Sequence, residues 1–149
     1  MVNLLFVCLG NICRSPAAEG LARVLAKGDP RIGKLDSAGL GDWHVGAPPD
    51  ARMRRVAAAR GFPIDDLRAR LVTPEDFDRF DYIFCMDFEN LHSLKKMAAR
   101  HGGKAQVRML LEGEEIPDPY YGSPPDFCHS FDMIRRGIEA FLKALPQGA

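Results

Sequence analysis

The segment "VNLLFVCLGNICRSP", residues 2–16, constrains the fold more than any other stretch of the chain. Its first seven residues are apolar apart from Asn3 and show no polar–apolar alternation. A strand of that kind is buried on both faces, and sheets covered on both faces are parallel sheets layered with helices. The apolar run stops at Cys8. Arg14, Ser15 and Pro16 then open a helix, with Ser15 suited to the N-cap and Pro16 to the first helical position. The unit is therefore strand, tight loop and helix, the helix expected to run to about Lys27.

The rest of the chain repeats the alternation. "KLDSAG" (34–39) reads as a strand, "GDWHVGAPPD" (41–50) as loop, and "DARMRRVAAARG" (50–61) as a helix closed by Gly61. "TPED" (73–76) resembles a capping box with Thr73 as the cap. "DYIFCM" (81–86) is a strand, 88–103 a helix ended by glycines, and "AQVRMLL" (105–111) a fourth strand. A long loop rich in proline and glycine follows at 112–126. The last helix then places Phe127, Phe131, Ile134, Ile138, Phe141 and Leu145 at steps of three and four, a core-facing stripe. The expected architecture is α/β: one domain over 1–149, an open four-stranded parallel sheet flanked by helices on both faces. In such sheets ligands bind outside the carboxyl ends of the strands, where the strand order reverses. Cys8, Asp87 and the 112–126 loop all leave strand ends, and one rim can gather them.

Composition narrows the function. Lysine plus arginine equal aspartate plus glutamate at 20 each, which gives no electrostatic reason for nucleic-acid or membrane-surface binding. No apolar stretch approaches the roughly 20 residues of a membrane span. The N-terminus lacks the basic and small-residue features of a secretory signal, so a cytoplasmic protein with reduced thiols is expected. The four cysteines contain no Cys-x-x-Cys pair and the four histidines no ligand spacing, so no metal is expected.

The loop from Cys8 to Arg14 carries the chemistry. Its peptide N–H groups can turn inward as an anion-binding nest, with the following helix adding its N-terminal dipole. Arg14 offers a planar fork for two oxygens of a tetrahedral oxyanion. Gly10 allows close backbone approach, and Asn11 tolerates a left-handed conformation. Such surroundings favour the thiolate of Cys8, which then faces the phosphorus of a bound phosphate. From composition, Cys-x5-Arg-[Ser/Thr] is expected by chance only about 0.015 times in such a chain. The alkoxide or phenolate leaving group needs a proton, and "PDPYY" (117–121) supplies Asp118 on a proline-stiffened loop beside Tyr120 and Tyr121.

"CLGNICRS" and "DPYY", with "SAG" (37–39), "GDWHVG" (41–46) and "FDYIFCMD" (80–87) in order between them, resemble the low-molecular-weight protein tyrosine phosphatases over essentially the whole chain. The resemblance implies a metal- and cofactor-free hydrolysis of phosphotyrosine on protein substrates. Cys8 would be the nucleophile, Arg14 the phosphoryl ligand, and Asp118 the acid and then the base. Leu9, Gly10, Asn11, Ile12, Cys13 and Ser15 would surround the phosphoryl group. Asn11, Ser15 and Ser37 would hold the loop's shape. Trp43, Tyr120 and Tyr121 would wall the cleft with Leu9, although the two tyrosines could equally serve loop packing. Phosphate and other oxyanions would inhibit, and a monomer is the default. His44 reads as a structural hydrogen-bonder, Asp87 as a strand end or helix cap, and Cys85 and Cys128 as small core residues. Arsenate reductases of this fold need two further cysteines close in sequence, and Cys85 and Cys128 are far apart. Arginine phosphatases of the family typically carry threonine at the position of Leu9. A non-catalytic phosphotyrosine-binding module would need the cradle but neither the thiol nor the acid.

Overall fold

A computed structural model describes residues 1–148. The strands are β1 (Val2–Cys8), β2 (Ile32–Gly39), β3 (Tyr82–Cys85) and β4 (Gln106–Met109). They form one parallel sheet in the order β2-β1-β3-β4. The helices are α1 (Arg14–Leu25), α2 (Ala51–Ala59), the single turn α3 (Asp76–Arg79), α4 (Phe88–His101) and α5 (Pro124–Ala144).

The unbroken apolar character of β1 has its cause in the two cores. Leu4, Phe6 and Cys8 face one layer with Leu21 of α1, Met53 of α2 and Phe131, Ile134 and Ile138 of α5. Leu5 and Val7 face the other layer with Phe77 of α3 and Leu94 of α4. Because strand order reverses on either side of β1, the crevice opens at the carboxyl ends of β1 and β3. Loops 9–13, 86–87 and 110–123 rise there.

Several boundaries differ from the sequence reading. Strand β2 begins two residues earlier, and α5 begins at Pro124, where Asp126 accepts the Ser123 N–H at 2.8 Å. At the "TPED" turn Asp76, wholly buried, accepts the Thr73 N–H at 2.8 Å, but the helix that follows lasts one turn. Helix α1 starts at Arg14 with Cys13 in the N-cap position and no side-chain cap, so Ser15 lies inside its first turn. Cys85 is buried, as expected of a core residue, whereas Cys128 lies off the apolar stripe of α5 and is half-exposed.

Candidate active site

The Cys8 thiol stands at the end of β1, 97% buried, beneath the loop. Its Sγ lies 3.0 Å from Ser15 Oγ and accepts the Ser15 N–H at 3.4 Å. Ser15 is thus engaged with the thiol, and the first N–H groups of α1 are left without a side-chain cap. That arrangement suits an anion at the helix start.

Behind the loop runs a buried polar relay. Asn11 Nδ2 donates to Ser15 Oγ at 2.7 Å and to Ser37 Oγ at 3.1 Å. Ser37 donates to Glu19 Oε1 at 2.7 Å, and Asn11 Oδ1 accepts the Arg70 N–H at 2.9 Å. These bonds hold Asn11 at φ 58°, the left-handed conformation its residue type tolerates. Gly39 completes the seat: a Cβ there would meet Leu9 O and the Asn11 Cβ at 3.1 Å. Asn11 thus hydrogen-bonds both Ser15 and Ser37 behind the loop. The side chains of Asn11 and Ser15 point behind the loop and do not line the cavity.

Arg14 is the largest fully buried side chain at the site. Its Nη1 donates to Asp87 Oδ2 at 2.8 Å and to the Ile116 carbonyl at 2.9 Å, and its Nη2 lies 3.6 Å from Asp118 Oδ2. Burial opposes its charge, but Cys8, the Asp87 hydrogen bond and Asp118 outweigh that and hold the guanidinium's acidity below the ordinary value. Burial, reinforced by Asp50 and Cys8, pushes the Cys13 thiol far up, so Cys13 stays protonated.

Cys8, Leu9, Gly10, Ile12, Cys13, Arg14, Trp43, Asp118, Tyr120 and Tyr121 share one cavity of about 370 Å³. Trp43 and Tyr121 are exposed on its walls, and the tyrosine rings pack edge to face at 4.8 Å. Two residues depart from the sequence reading. The His44 ring forms no hydrogen bond among the described residues, its carbonyl alone accepting the Ala47 N–H at 2.8 Å; the ring lines the cavity 6.2 Å from Tyr120, in space that the absent Gly10 side chain leaves free. Asp87 belongs to the site: it caps α4 through Oδ1, which accepts the Asn90 N–H at 2.8 Å, and it orients Arg14 through Oδ2. Among the described residues no three His, Cys, Asp or Glu side chains converge as metal ligands.

A thiol under an uncapped helix start, a buried guanidinium and a carboxylate on a facing loop suit phosphoryl transfer to sulfur. The family model for low molecular weight phosphotyrosine protein phosphatases matches residues 3–148. The chain belongs to that family. It is a hydrolase of phosphotyrosine in proteins, with relatives in bacteria and animals. It is 41% identical to the Bacillus subtilis low molecular weight protein-tyrosine-phosphatase YfkJ, over 97% of this chain and 96% of the relative. The crystal structure of that relative superposes with a TM-score of 0.84, covering 97% of this chain and 94% of the other. The human low molecular weight phosphotyrosine protein phosphatase is 39% identical over 95% of this chain and 94% of its own. A Drosophila arginine phosphatase shares 34% identity at a TM-score of 0.89, covering 96% of each chain. The fold is thus shared by proteins named as tyrosine phosphatases and as an arginine phosphatase.

Proposed function

We propose that Cys8, Arg14 and Asp118 hydrolyse phosphotyrosine through a phosphocysteine intermediate. The observation that carries this reading is their convergence on one cavity, Cys8 and Arg14 from the loop after β1 and Asp118 from the loop after β4. The Cys8 thiolate attacks phosphorus while the loop N–H groups and the Arg14 fork hold the remaining oxygens. The S–P bond forms, the bond from phosphorus to the phenolic oxygen breaks, and Asp118 donates its proton to that oxygen. The Asp118 carboxylate then takes a proton from water as the water oxygen attacks phosphorus. The S–P bond breaks, inorganic phosphate leaves, and Ser15 Oγ, 3.0 Å away, stabilises the returning thiolate.

Trp43, Tyr120 and Tyr121 give a flat ring an aromatic slot, and Leu9, 44% exposed at its mouth, adds an apolar edge. Those walls favour an aryl ester over a guanidine phosphate. Inorganic phosphate and vanadate, sharing the cradle, act as competitive inhibitors. All of the reacting groups come from one chain, which supports a monomer as the working unit. A thiol nucleophile requires a reducing compartment, and the four cysteines are free. Among the described residues no helix is long and apolar enough to cross a membrane. Both observations support a cytoplasmic location.

Release of phosphate from a phosphotyrosine peptide without added metal tests the reading. Cys8→Ser should abolish turnover while vanadate still binds, because serine has no adjacent base to activate it. Asp118→Asn should lower kcat/KM, which reports the steps through Cys8 phosphorylation, on the order of 10²–10⁴-fold for poor leaving groups and spare it for acidic phenols, which depart as anions, while hydrolysis of the phosphocysteine slows for both. Turnover by Cys8→Ser above a few per cent of wild type, or an equal loss of kcat/KM by Asp118→Asn on both leaving groups, would remove these assignments.

A further inference from the structure

Asp118 is exposed on a loop, yet its task demands placement within a fraction of an ångström. Upstream, the loop is well fastened. The Ile116 N–H donates to the Met86 carbonyl at 2.8 Å, the Ile116 carbonyl accepts from Arg14 at 2.9 Å, and the Pro117 carbonyl accepts from Ser130 Oγ at 2.9 Å. Just downstream, over residues 119–121, one side chain donates a hydrogen bond from another element among the described residues. Arg52, in the first turn of α2, donates through Nη2 to the Tyr120 carbonyl at 3.0 Å. The N–H of the same Tyr120 donates to Asp118 Oδ1 at 3.1 Å. One peptide residue thus stands between the guanidinium and the carboxylate.

Arg52 is itself fixed on three sides. Its guanidinium meets Asp50 at 2.9 and 3.1 Å, lies 4.4 Å over the buried Phe127 ring at the start of α5, and sits 5.6 Å from the Tyr120 ring. Asp50 caps α2 and donates its own N–H to the Ile12 carbonyl at 2.8 Å, within the phosphate-holding loop. A rigid path therefore runs from the Ile12 carbonyl through Asp50 and Arg52 to Tyr120 and Asp118. It ties the loop that holds the phosphoryl group to the loop that delivers the proton.

We infer that Arg52 is a positioning residue for the general acid: by gripping the Tyr120 carbonyl it sets where the Asp118 carboxylate meets the leaving oxygen. The inference rests on Asp118 as the acid. Arg52 lines no part of the cavity and touches no reacting atom. Its loss should therefore be felt only where a proton is needed. A lysine in its place keeps a donor for Tyr120 but cannot hold Asp50 and Tyr120 in one plane, nor stack as well on Phe127.

The test compares kcat/KM, which reports the steps through Cys8 phosphorylation, for phenyl phosphate and 4-nitrophenyl phosphate. Arg52→Met keeps apolar packing against Phe127. It should lose about 10- to 100-fold on phenyl phosphate, the scale of a misplaced catalytic group. On 4-nitrophenyl phosphate, whose phenol is far more acidic, the loss should stay under about threefold, and vanadate inhibition should shift by under about twofold. Arg52→Lys should recover part of the loss. In an Asp118→Asn background Arg52→Met should add nothing on phenyl phosphate, because the group it positions is gone. Equal losses on the two esters, or a full extra loss in the double variant, overturn the inference. If Asp118→Asn itself shows no leaving-group dependence, the assignment of the acid fails. If Asp118→Asn shows it and Arg52→Met does not, only the role of Arg52 fails. Should the methionine variant not fold, Arg52→Lys carries the same double-variant comparison.

Discussion

Asp87 uses its two oxygens for two different tasks, and that division can be tested with one atom's change. Asn at this position keeps an acceptor for the Asn90 N–H, and asparagine is as good a helix cap as aspartate. It replaces the acceptor facing Arg14 with a donor, or leaves the buried guanidinium without its charged partner. In Asp87→Asn the α4 cap should therefore change by under about 1 kcal/mol, any larger loss of stability being that of the ionic partner of buried Arg14, while kcat/KM falls about tenfold or more, since Arg14 loses its fixed plane. Parallel denaturant unfolding and kinetics separate the two; a variant that keeps its activity as well as its cap would show that Asp87 serves α4 alone. The same residue marks the limit of what the sequence reveals. Cys8, Arg14 and Asp118 are legible as candidates because they border or lie in loops whose residues have no other strong reason for their identity. Asp87 sits between a strand and a helix, where capping is reason enough for an aspartate, so its second bond is invisible until β1 and β3 lie side by side. Ser15 shows the reverse case: a serine before proline looks like a cap, but its hydroxyl is taken by the thiol. Arg52, in a helix with nothing obviously chemical, reads as surface charge, because its partners Tyr120 and Phe127 are remote in the chain.

The elements were legible in kind, and their ends less so. Continuous apolar runs and period-3.6 patterns locate strands and helices, but ends depend on partners in space. β2 gains Ile32 and Gly33 because Ile32 pairs with Val2 of β1, across a register shift. α5 gains a turn because the prolines at 124 and 125 fit a first turn that needs no N–H donors. Inside α5, Gly137 makes a sharper case. Glycine in a helix interior is worse than alanine by about 1 kcal/mol, so propensity alone favours Gly137→Ala. A Cβ there, however, would lie 2.9 Å from the Leu110 carbonyl oxygen and 2.8 Å from Leu110 Cγ. The oxygen belongs to the backbone just past β4 and cannot swing aside, and overpacking of this kind costs about 1–3 kcal/mol. Packing outweighs propensity, so Gly137→Ala should lower Tm by about 2–4 °C or more, as read by thermal unfolding. A rise in Tm would mean that α5 is free to slide away from the sheet.

At the scale of the whole molecule, the parallel sheet does two things at once: it gathers three strand ends at one rim, and it buries the supports of that rim in the larger core. One support carries a cost. Glu19, on α1, is 93% buried and accepts from Ser37, which joins it through Asn11 and Ser15 to the Cys8 thiol. Burial pushes its carboxyl up to about 7, with Asp36 and Asp66 adding to the effect, and the Ser37 hydrogen bond and Arg23 opposing it. In the unfolded chain the same group titrates near 4.5. Between those two values the native protein holds a proton that the unfolded chain has released, so stability falls as pH rises through the window. The contribution is complete below about pH 4.5 and absent above about pH 7, and its full size is on the order of 3 kcal/mol. Glu19→Gln is neutral at every pH and still accepts from Ser37 through its amide oxygen. Urea unfolding of wild type and Glu19→Gln should therefore agree closely at pH 5 and diverge above pH 7, with the variant the more stable. Salt should change that gap little, because the penalty comes from burial and not from a screened surface charge. A gap that is the same at pH 5 and pH 8 would mean that Glu19 is hydrated or paired in the native state, and the relay from Glu19 to Cys8 would then carry a charge at neutral pH.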